Sequence, residues 1–439
     1  MEPQVIGLLG IVALLVAISL GLHIGVALGT VGFLGLAWIT GSGNMGISLL
    51  TTAPWSTTAV YAFSALPLFV LMGLFAYRSG ISHSLFDMAY RWLGRLPGGL
   101  AIATVVGNAG FGAVCGSSMV ACAVFTKVSL PEMLRHGYDK KFACGTIAAG
   151  GMLGMLIPPS ILMVVYGILT EQSIGHLLMA GIGPGLLLAL IFSITSLVLA
   201  ARDPRLGPPA TETFTWRERL LGVKGAWGVV ALAGIIVGGI YLGVFTPTEG
   251  AAVGASGAFV LALAMRKLHR QDLAGALKET GQTTAMIMMI VIGATIFARF
   301  LALSTLPTRF AQAVTSASVP PLVMIGVFMV MYLIMGCFLD SISMMSITLP
   351  VIHPMIVKMG INPIWFAMLV VMAIEIGLLT PPVGINVYTV KVSAPAGMVT
   401  LEEVFQGIVP FFFVSLIALA IMMLFPSISL LIPQTMLGK

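Results

Sequence analysis

Charged residues are scarce in this chain. Asp, Glu, Lys and Arg make up 8% of its 439 residues, whereas soluble domains usually carry about 25%. The HExxH and GxSxG motifs of metal-dependent and serine hydrolases are also absent, and no basic region precedes the first apolar run. These absences exclude a water-soluble globular protein, favour a protein that is not an enzyme, and predict no cleavable signal peptide.

Cysteine is rare as well. The four cysteines, Cys115, Cys122, Cys144 and Cys337, fall in apolar segments and show no metal-ligand spacing. Buried free cysteine behaves as a small hydrophobic residue. We therefore expect packing residues at these positions, no transition metal and no cofactor.

Apolar residues dominate what is present. The chain is 59% hydrophobic, its mean hydropathy is +1.08, and apolar runs of about 18 or more residues recur from end to end. The sequence thus predicts an all-α polytopic protein of the lipid bilayer. Its pI near 9.2 does not indicate nucleic-acid binding, because the basic residues lie in short loops.

Two double prolines interrupt apolar sequence that would otherwise form membrane helices. Pro158-Pro159 lies 223 positions before Pro381-Pro382. Further identities occur at the same offset, namely Ser118 with Ser341, Pro131 with Pro354, Gly137 with Gly360 and Gly154 with Gly377. Paired, interrupted helices at equivalent places are typical of transporters built from internal repeats.

The order of predicted elements also repeats, which sets the predicted boundaries. The first repeat covers 1–201, a polar linker covers 202–226, and the second repeat covers 227–439. Each repeat holds a helical hairpin and a broken helix, predicted at about 99–130 and 142–169 and at about 322–357 and 364–392. We also predict a loop carrying Arg78, Arg91 and Arg95, a loop Pro131–Lys141, a surface stretch Leu268–Glu279, and a capping box in which Thr246 pairs with Glu249.

Charge predicts the orientation. With the linker in the cytoplasm, 17 of the 21 Lys and Arg residues fall on the cytoplasmic side, as the positive-inside rule requires. Arg299, Arg309, Lys358 and Lys439 fall on the outer side. The first hairpin then enters from the cytoplasm and the second from outside. The two repeats are therefore predicted to be inverted, with both chain ends outside.

The helix breaks predict binding chemistry. Irregular backbone survives in hydrocarbon only where it is buried or lines a polar cavity, and carbonyls freed by proline, together with hydroxyls, suit a hard cation such as Na⁺. The hairpin tips add polar groups. We predict two Na⁺ sites: one between Gly116, Ser117, Ser118, Gly154 and Pro158, the other between Asp340, Ser341, Ser343, Thr380, Pro381 and Gly384.

Other polar residues in apolar sequence leave alternatives open. Candidate substrate-binding residues are Ser118, Ser160, Asn108, Asn386 and Arg299. Asn108 and Asn386 could equally be structural, and Arg299 could extend its charge to the membrane surface. Glu375 has no acidic counterpart in the first repeat, where Met152 stands. It could bind a ligand, relay protons or form structural hydrogen bonds.

Several motifs together resemble a known family. They are GNAGFGAVCGSSMVAC, CGTIAAGGMLGMLIPPS, SIGHLLMAGIGPG, GVFTPTEGAAVGA and EIGLLTPPVGIN. In this order they resemble the large membrane subunit of tripartite ATP-independent periplasmic (TRAP) transporters, over essentially the whole chain. His23, where proline is expected, departs from the pattern, but it lies among the flanking helices.

The resemblance implies a multi-pass permease of the bacterial inner membrane. It implies elevator movement and Na⁺-driven uptake of an organic acid, such as a C4-dicarboxylate, a keto acid or a sugar acid. The implied partners are a periplasmic substrate-binding protein and a small four-helix membrane subunit. It also places cation sites at the hairpin tips and breaks, in agreement with the residues above. Two alternatives stay open: a stand-alone Na⁺/dicarboxylate symporter or cation/proton antiporter and, remotely, an intramembrane enzyme.

Overall fold

The computed structural model describes residues 2–210, 212–309, 312 and 320–436. Lys439, which we assigned to the outer side, lies outside the described residues. The α-helices are α1 Pro3–Ser19, α2 Ile24–Thr40, α3 Gly43–Thr58, α4 Ala65–Arg78, α5 Ile81–Leu93, α6 Gly99–Cys115, α7 Ser118–Val128, α8 Leu130–Arg135, α9 Lys140–Gly151, α10 Leu153–Leu156, α11 Ile161–Thr170, α12 Ile174–Ala180, α13 Ile182–Arg202, α14 Trp216–Tyr241, α15 Pro247–Ala264, α16 Arg270–Ser304, α17 Pro321–Gly336, α18 Ser341–Lys358, α19 Pro363–Gly377, α20 Ile385–Ser393, α21 Leu401–Leu424 and α22 Ser427–Gln434.

Seven helical segments in the described part of the chain are long and apolar enough to cross a membrane. They are Tyr61–Arg78, Ile174–Arg202, Trp216–Tyr241, Pro247–Ala264, Arg270–Ser304, Ser341–Lys358 and Leu401–Leu424. An eighth crossing is possible if Lys140–Leu156 and Ile161–Thr170, which bend by 43° at the first double proline, act as one span. The predicted all-α, multi-pass architecture is confirmed.

Helices flank both predicted tips and both predicted breaks. Helices α6 and α7 correspond to the predicted first hairpin, and α17 and α18 correspond to the predicted second one. The first break, 157–160, separates α10 from α11, and the second break, 378–384, separates α19 from α20. Both Pro-Pro peptide bonds are cis. These bounds place each double proline between two helices that end and restart inside apolar sequence.

Two predicted loops are wrong, and two other predicted segments contain helix. The loop after Arg78 is largely the amphipathic helix α5, whose apolar residues recur at helical spacing and pack inward. Part of the loop Pro131–Lys141 is helix α8. The linker 202–226 becomes helical at Trp216, where Thr215 and Glu218 form a capping box. The surface stretch Leu268–Glu279 is mostly the start of the 35-residue helix α16. In contrast, the capping box of Thr246 and Glu249 is confirmed.

Buried apolar side chains form two clusters. The larger one draws buried residues from every helix from α4 to α21. Within it α9 packs against α21, where the rings of Phe142 and Phe411 stack with centroids 6.3 Å apart. The smaller cluster joins α1–α3 to α16 through residues such as Leu28, Phe297 and Phe300. The hairpins and broken helices therefore share most of the interior.

The linker is bonded to the base of the first hairpin. Backbone N–H groups of Gly98 and Asp139 donate to the carbonyls of Gly207 (2.9 Å) and Leu206 (3.0 Å). Tyr90 on α5 donates to Glu212 at 3.0 Å. The pKa of Tyr90 is raised mainly by burial and next by this hydrogen bond. Residues 203–210 thus fold with the first half of the chain.

The predicted inversion can be tested at two exposed basic residues. Arg135 and Lys358 lie at the 223-residue offset, at the bases of the two hairpins. In a Cys337→Ser background, Lys358→Cys should react with an impermeant maleimide on intact cells. Arg135→Cys should react only after the membrane is opened. The other native cysteines are buried, which limits background labelling. Equal labelling of both positions from one face would remove the inversion.

Candidate functional site

The first hairpin tip touches the first break through backbone atoms. Gly116, at φ +68°, accepts a bond through its carbonyl from the amide of Ile161 at 3.3 Å. A Cβ built on Gly116 would lie 2.8 Å from the carbonyl oxygen of Pro159, and one on Gly154 would lie 2.9 Å from that of Ser117. Glycine adopts the positive φ of Gly116 without steric cost, and its lack of a Cβ allows the close contact at both positions. The structure therefore brings Gly116, Ser117 and Gly154 together beside the first break.

The serines here already have local partners. Ser117 and Ser160 cap α7 and α11, because each hydroxyl accepts from a backbone amide three residues on, at 3.4 Å. Ser118, which is 1% exposed, donates to Glu375 at 3.3 Å. Ser118 therefore faces the second half of the chain as well as its own hairpin.

The second tip and the second break meet in a similar way. The amide of Val383 donates to the carbonyl of Cys337 at 3.3 Å, and the Cys337 sulfur lies 2.9 Å from the Thr380 hydroxyl. A Cβ built on Gly336 would lie 2.5 Å from Cα of Gly377. Close backbone contact thus joins the second hairpin to α19.

Asp340 and its neighbours form the start of α18. The Asp340 carboxylate accepts from the amides of Ile342 and Ser343, both at 3.1 Å, and also from the Ser343 hydroxyl. Ser341 and Ser343 are buried. Within the described residues, Asp340 makes no hydrogen bond to Thr380, Pro381 or Gly384. Asp340 is therefore a helix cap in this structure, a role that is compatible with ion binding but does not require it.

The two breaks differ in exposure. Pro158 and Pro159 are buried, whereas Pro381, Pro382 and Val383 are exposed. Next to the second break, Pro381, Phe405 and Glu402 help to line an open depression of about 570 Å³. The pseudo-symmetric sequence therefore produces two unequal environments.

The other candidate substrate residues are separated. Asn108 is fully buried and donates to the carbonyl of Thr104 at 3.0 Å, while its own carbonyl oxygen has no described partner. Asn386 is also fully buried and donates to Glu375 at 3.4 Å. Arg299 is exposed on α16 and forms no ion pair with any described residue. The structure joins Asn386 to Ser118 through Glu375, but it does not bring Arg299 to them.

A cavity of about 350 Å³ reaches the first hairpin tip. Ser117 and Met119 line it together with Glu279 and Thr283 of α16. Sequence reasoning missed these α16 residues, because Glu279 had been assigned to a surface stretch. The sequence signal that could have pointed to Glu279 was its position just before a long apolar run.

Each half of the chain also contacts the hairpin of the other half. Helix α20, after the second break, packs against α7 of the first hairpin. Helix α11, after the first break, packs against α18 of the second hairpin. The two predicted cation sites are therefore parts of one interlocked unit. Such an arrangement can hold ions and a small ligand between backbone carbonyls, hydroxyls and helix ends.

Comparison with known proteins identifies the family. The family described as "Tripartite ATP-independent periplasmic transporter, DctM component" matches residues 11–428. The chain belongs to this family. It is 37% identical over 382 residues to the C4-dicarboxylate TRAP transporter large permease protein DctM of Pseudomonas aeruginosa, covering 87% of this chain and 88% of that protein.

A second DctM-family relative is a longer protein. The chain is 31% identical to the isethionate TRAP transporter permease protein DctMQ of Oleidesulfovibrio alaskensis, covering 90% of this chain and 62% of that protein. Large permeases of this family work with a small membrane subunit and a periplasmic binding protein, and DctMQ is a fusion.

The fold agrees with a solved transporter. The chain superimposes on the crystal structure of the Alcanivorax borkumensis YdaH transporter with a TM-score of 0.61 and 16% identity, over 87% of this chain and 89% of that chain. At this identity the likeness concerns the fold alone. The family match and the candidate spans, rather than this likeness, make the chain a multi-pass TRAP large permease.

Proposed function

We propose that this TRAP large permease performs Na⁺-coupled uptake of an organic acid across the bacterial inner membrane. A C4-dicarboxylate is the first substrate to test, since the relative with 37% identity is named for that class. The observation that carries the proposal is the meeting of each hairpin tip with a helix break, in a chain of the DctM family.

The predicted ion sites fit this role. At each break the helix ends and restarts beside a hairpin tip, and backbone carbonyls of the tip lie within hydrogen-bond distance of the break. Gly116, Ser117, Ser118 and Gly154 supply the first site, with Pro158 beside them. Asp340 supplies the only formal charge among the residues assigned to the two sites. We assign the second site to Asp340, Ser341, Ser343, Thr380, Pro381 and Gly384.

Movement follows from the same geometry. We assign the interlocked hairpins and broken helices to a transport unit, and α1–α4 and α14–α16 to a scaffold. An elevator motion would carry the ion sites past that scaffold. The cavity between Ser117 and Thr283 lies where the two parts meet, so substrate can enter there. The partners would be a small membrane subunit, docked on the scaffold, and a soluble periplasmic receptor that delivers the acid.

The test is uptake into proteoliposomes that hold the chain with its small subunit. Labelled C4-dicarboxylate should enter only when the receptor is present and a Na⁺ gradient points inward. Replacing Na⁺ by choline, at constant ionic strength, should abolish uptake. A panel of keto acids and sugar acids, each loaded on the receptor, then identifies the substrate.

The same assay separates the alternatives. Uptake without the receptor would contradict the tripartite mechanism and support a stand-alone symporter. Uptake driven by a proton gradient in the absence of Na⁺ would contradict Na⁺ coupling. In both cases the family assignment would stand, because it rests on the sequence comparison.

A further inference from the structure

Glu375 is a carboxyl group in the interior of the protein. It lies on α19, three residues before the second break, and none of its surface is exposed. It forms no ion pair with any side chain in the described part of the molecule. A buried ionised carboxylate is very unfavourable unless a positive charge accompanies it. Side chains do not supply that charge here.

The neighbours of Glu375 are neutral and carry oxygen. Ser118 donates to one carboxyl oxygen at 3.3 Å, and the Asn386 amide nitrogen lies 3.4 Å from the other. Both contacts are longer than the charge-assisted bonds of about 2.7–2.9 Å that stabilise an isolated carboxylate. These two donors therefore do not replace a cation.

A third observation concerns Asn386. Its side chain is fully buried, and its amide oxygen has no hydrogen-bond partner among the residues that the structure describes. Because the amide nitrogen of the same group contacts Glu375, the unpartnered oxygen belongs to the same cluster. Buried polar atoms almost always have a partner. An acceptor without a donor, beside a carboxylate without a countercharge, is the arrangement that a bound cation completes.

We propose that Glu375, Asn386 and Ser118 form a buried site for one Na⁺, which shares Ser118 with the predicted first tip site but takes its charge from Glu375. The carboxylate supplies the charge, and the amide and hydroxyl oxygens supply neutral ligands, which suit a hard monovalent cation. This inference rests on the proposed Na⁺ coupling. It gives Glu375 a binding role that neither predicted tip site includes.

The position of the site gives it a specific consequence. Ser118 belongs to the first hairpin, whereas Glu375 and Asn386 flank the second break. A cation bound to all three joins the first hairpin to α19 and α20. Ion occupancy thereby controls how firmly the two halves of the transport unit are held together.

The test is direct Na⁺ binding by the purified complete chain, without substrate. Bound ²²Na⁺ is counted at constant ionic strength, with choline as the replacement cation. Glu375→Gln keeps the size and an acceptor oxygen but removes the charge, so it should bind one Na⁺ fewer than the wild type. The matched control is Glu171→Gln, which removes the carboxylate of an exposed residue at the end of α11 and should bind the wild-type number.

A second variant covers the case in which Glu375→Gln does not fold. Asn386→Ala keeps the carboxylate and should raise the half-saturating Na⁺ concentration of one site about tenfold, which corresponds to about 1.4 kcal/mol. Unchanged binding by this variant would overturn the assignment.

The outcomes distinguish this site from the proposed function. If the wild type binds no Na⁺, the Na⁺-coupled function fails and this site fails with it. If the wild type binds Na⁺ and Glu375→Gln binds the same number with the same affinity, only the Glu375 site is overturned. A proton would then neutralise the carboxyl group.

Discussion

Replacing Gly407 by valine is expected to prevent recovery of the folded protein. Helix α21 crosses α9 so closely at this point that a Cβ on Gly407 would overlap the carbonyl oxygen of Lys141, and one on Gly145 would overlap that of Gly407. The obstacle is backbone, which cannot rotate away as a side chain can. Ordinary overpacking of a core costs about 1–3 kcal/mol of folding stability. The cost of forcing two helices apart should exceed that range.

Gly234→Val is the matched control for this prediction. Gly234 lies inside α14, and a Cβ built there meets nothing within 4 Å. Both variants therefore add the same side chain to a helix, and only one of them meets an obstacle. The measurement is the height and thermal stability of the monodisperse peak in detergent size-exclusion chromatography. Equal behaviour of the two variants would show that α9 and α21 are not in close contact.

Removing the charge of Asp340 is expected to raise the Na⁺ concentration for half-maximal uptake about tenfold or more, equivalent to at least about 1.4 kcal/mol. Asp340→Asn is the informative change, because asparagine caps a helix about as well as aspartate. The bonds to the amides of Ile342 and Ser343 can then persist while the charge is lost. Asp340→Ala should show the same Na⁺ defect and a loss of about 1 kcal/mol of helix stability.

The control for Asp340 is a second capping aspartate. Asp139 accepts from the amide of Phe142 at 2.9 Å and caps α9, outside both predicted ion sites. Asp139→Asn should leave the Na⁺ dependence of uptake unchanged. Wild-type Na⁺ dependence in Asp340→Asn would reduce Asp340 to a structural cap, and the second site would need another source of charge.

Structural elements that are determined by short motifs were predictable from the sequence. Both tips, both breaks and the Thr246 capping box follow from glycine, proline and hydroxyl residues at short spacing, and the structure has helices ending where they were expected. Helix α5 could have been predicted, because Ile81, Leu85 and Phe86 recur at helical spacing. It was missed because Arg91 within it, with Arg78 before it and Arg95 after it, suggested a loop.

Contacts between distant parts of the chain were not predictable. Ser118 and Glu375 are 257 positions apart, and no pattern in one sequence indicates that their side chains meet. The unequal exposure of the two breaks was also unpredictable, since Pro158 and Pro381 stand in nearly identical motifs. Their burial depends on which helices cover them. The predicted ion sites and the inversion stay predictions.

The short lengths of several interior helices bear on how the protein is made. Helices α7, α11 and α20 have 11, 10 and 9 residues, so each extends only about 14–17 Å. The hydrocarbon layer is about 30 Å thick, and an insertion machinery that recognises full-length apolar segments cannot integrate these pieces one at a time. We therefore expect biosynthesis in two stages. Long helices such as α13, α14 and α21 would enter first, and the short ones would reach their places by folding inside the bilayer.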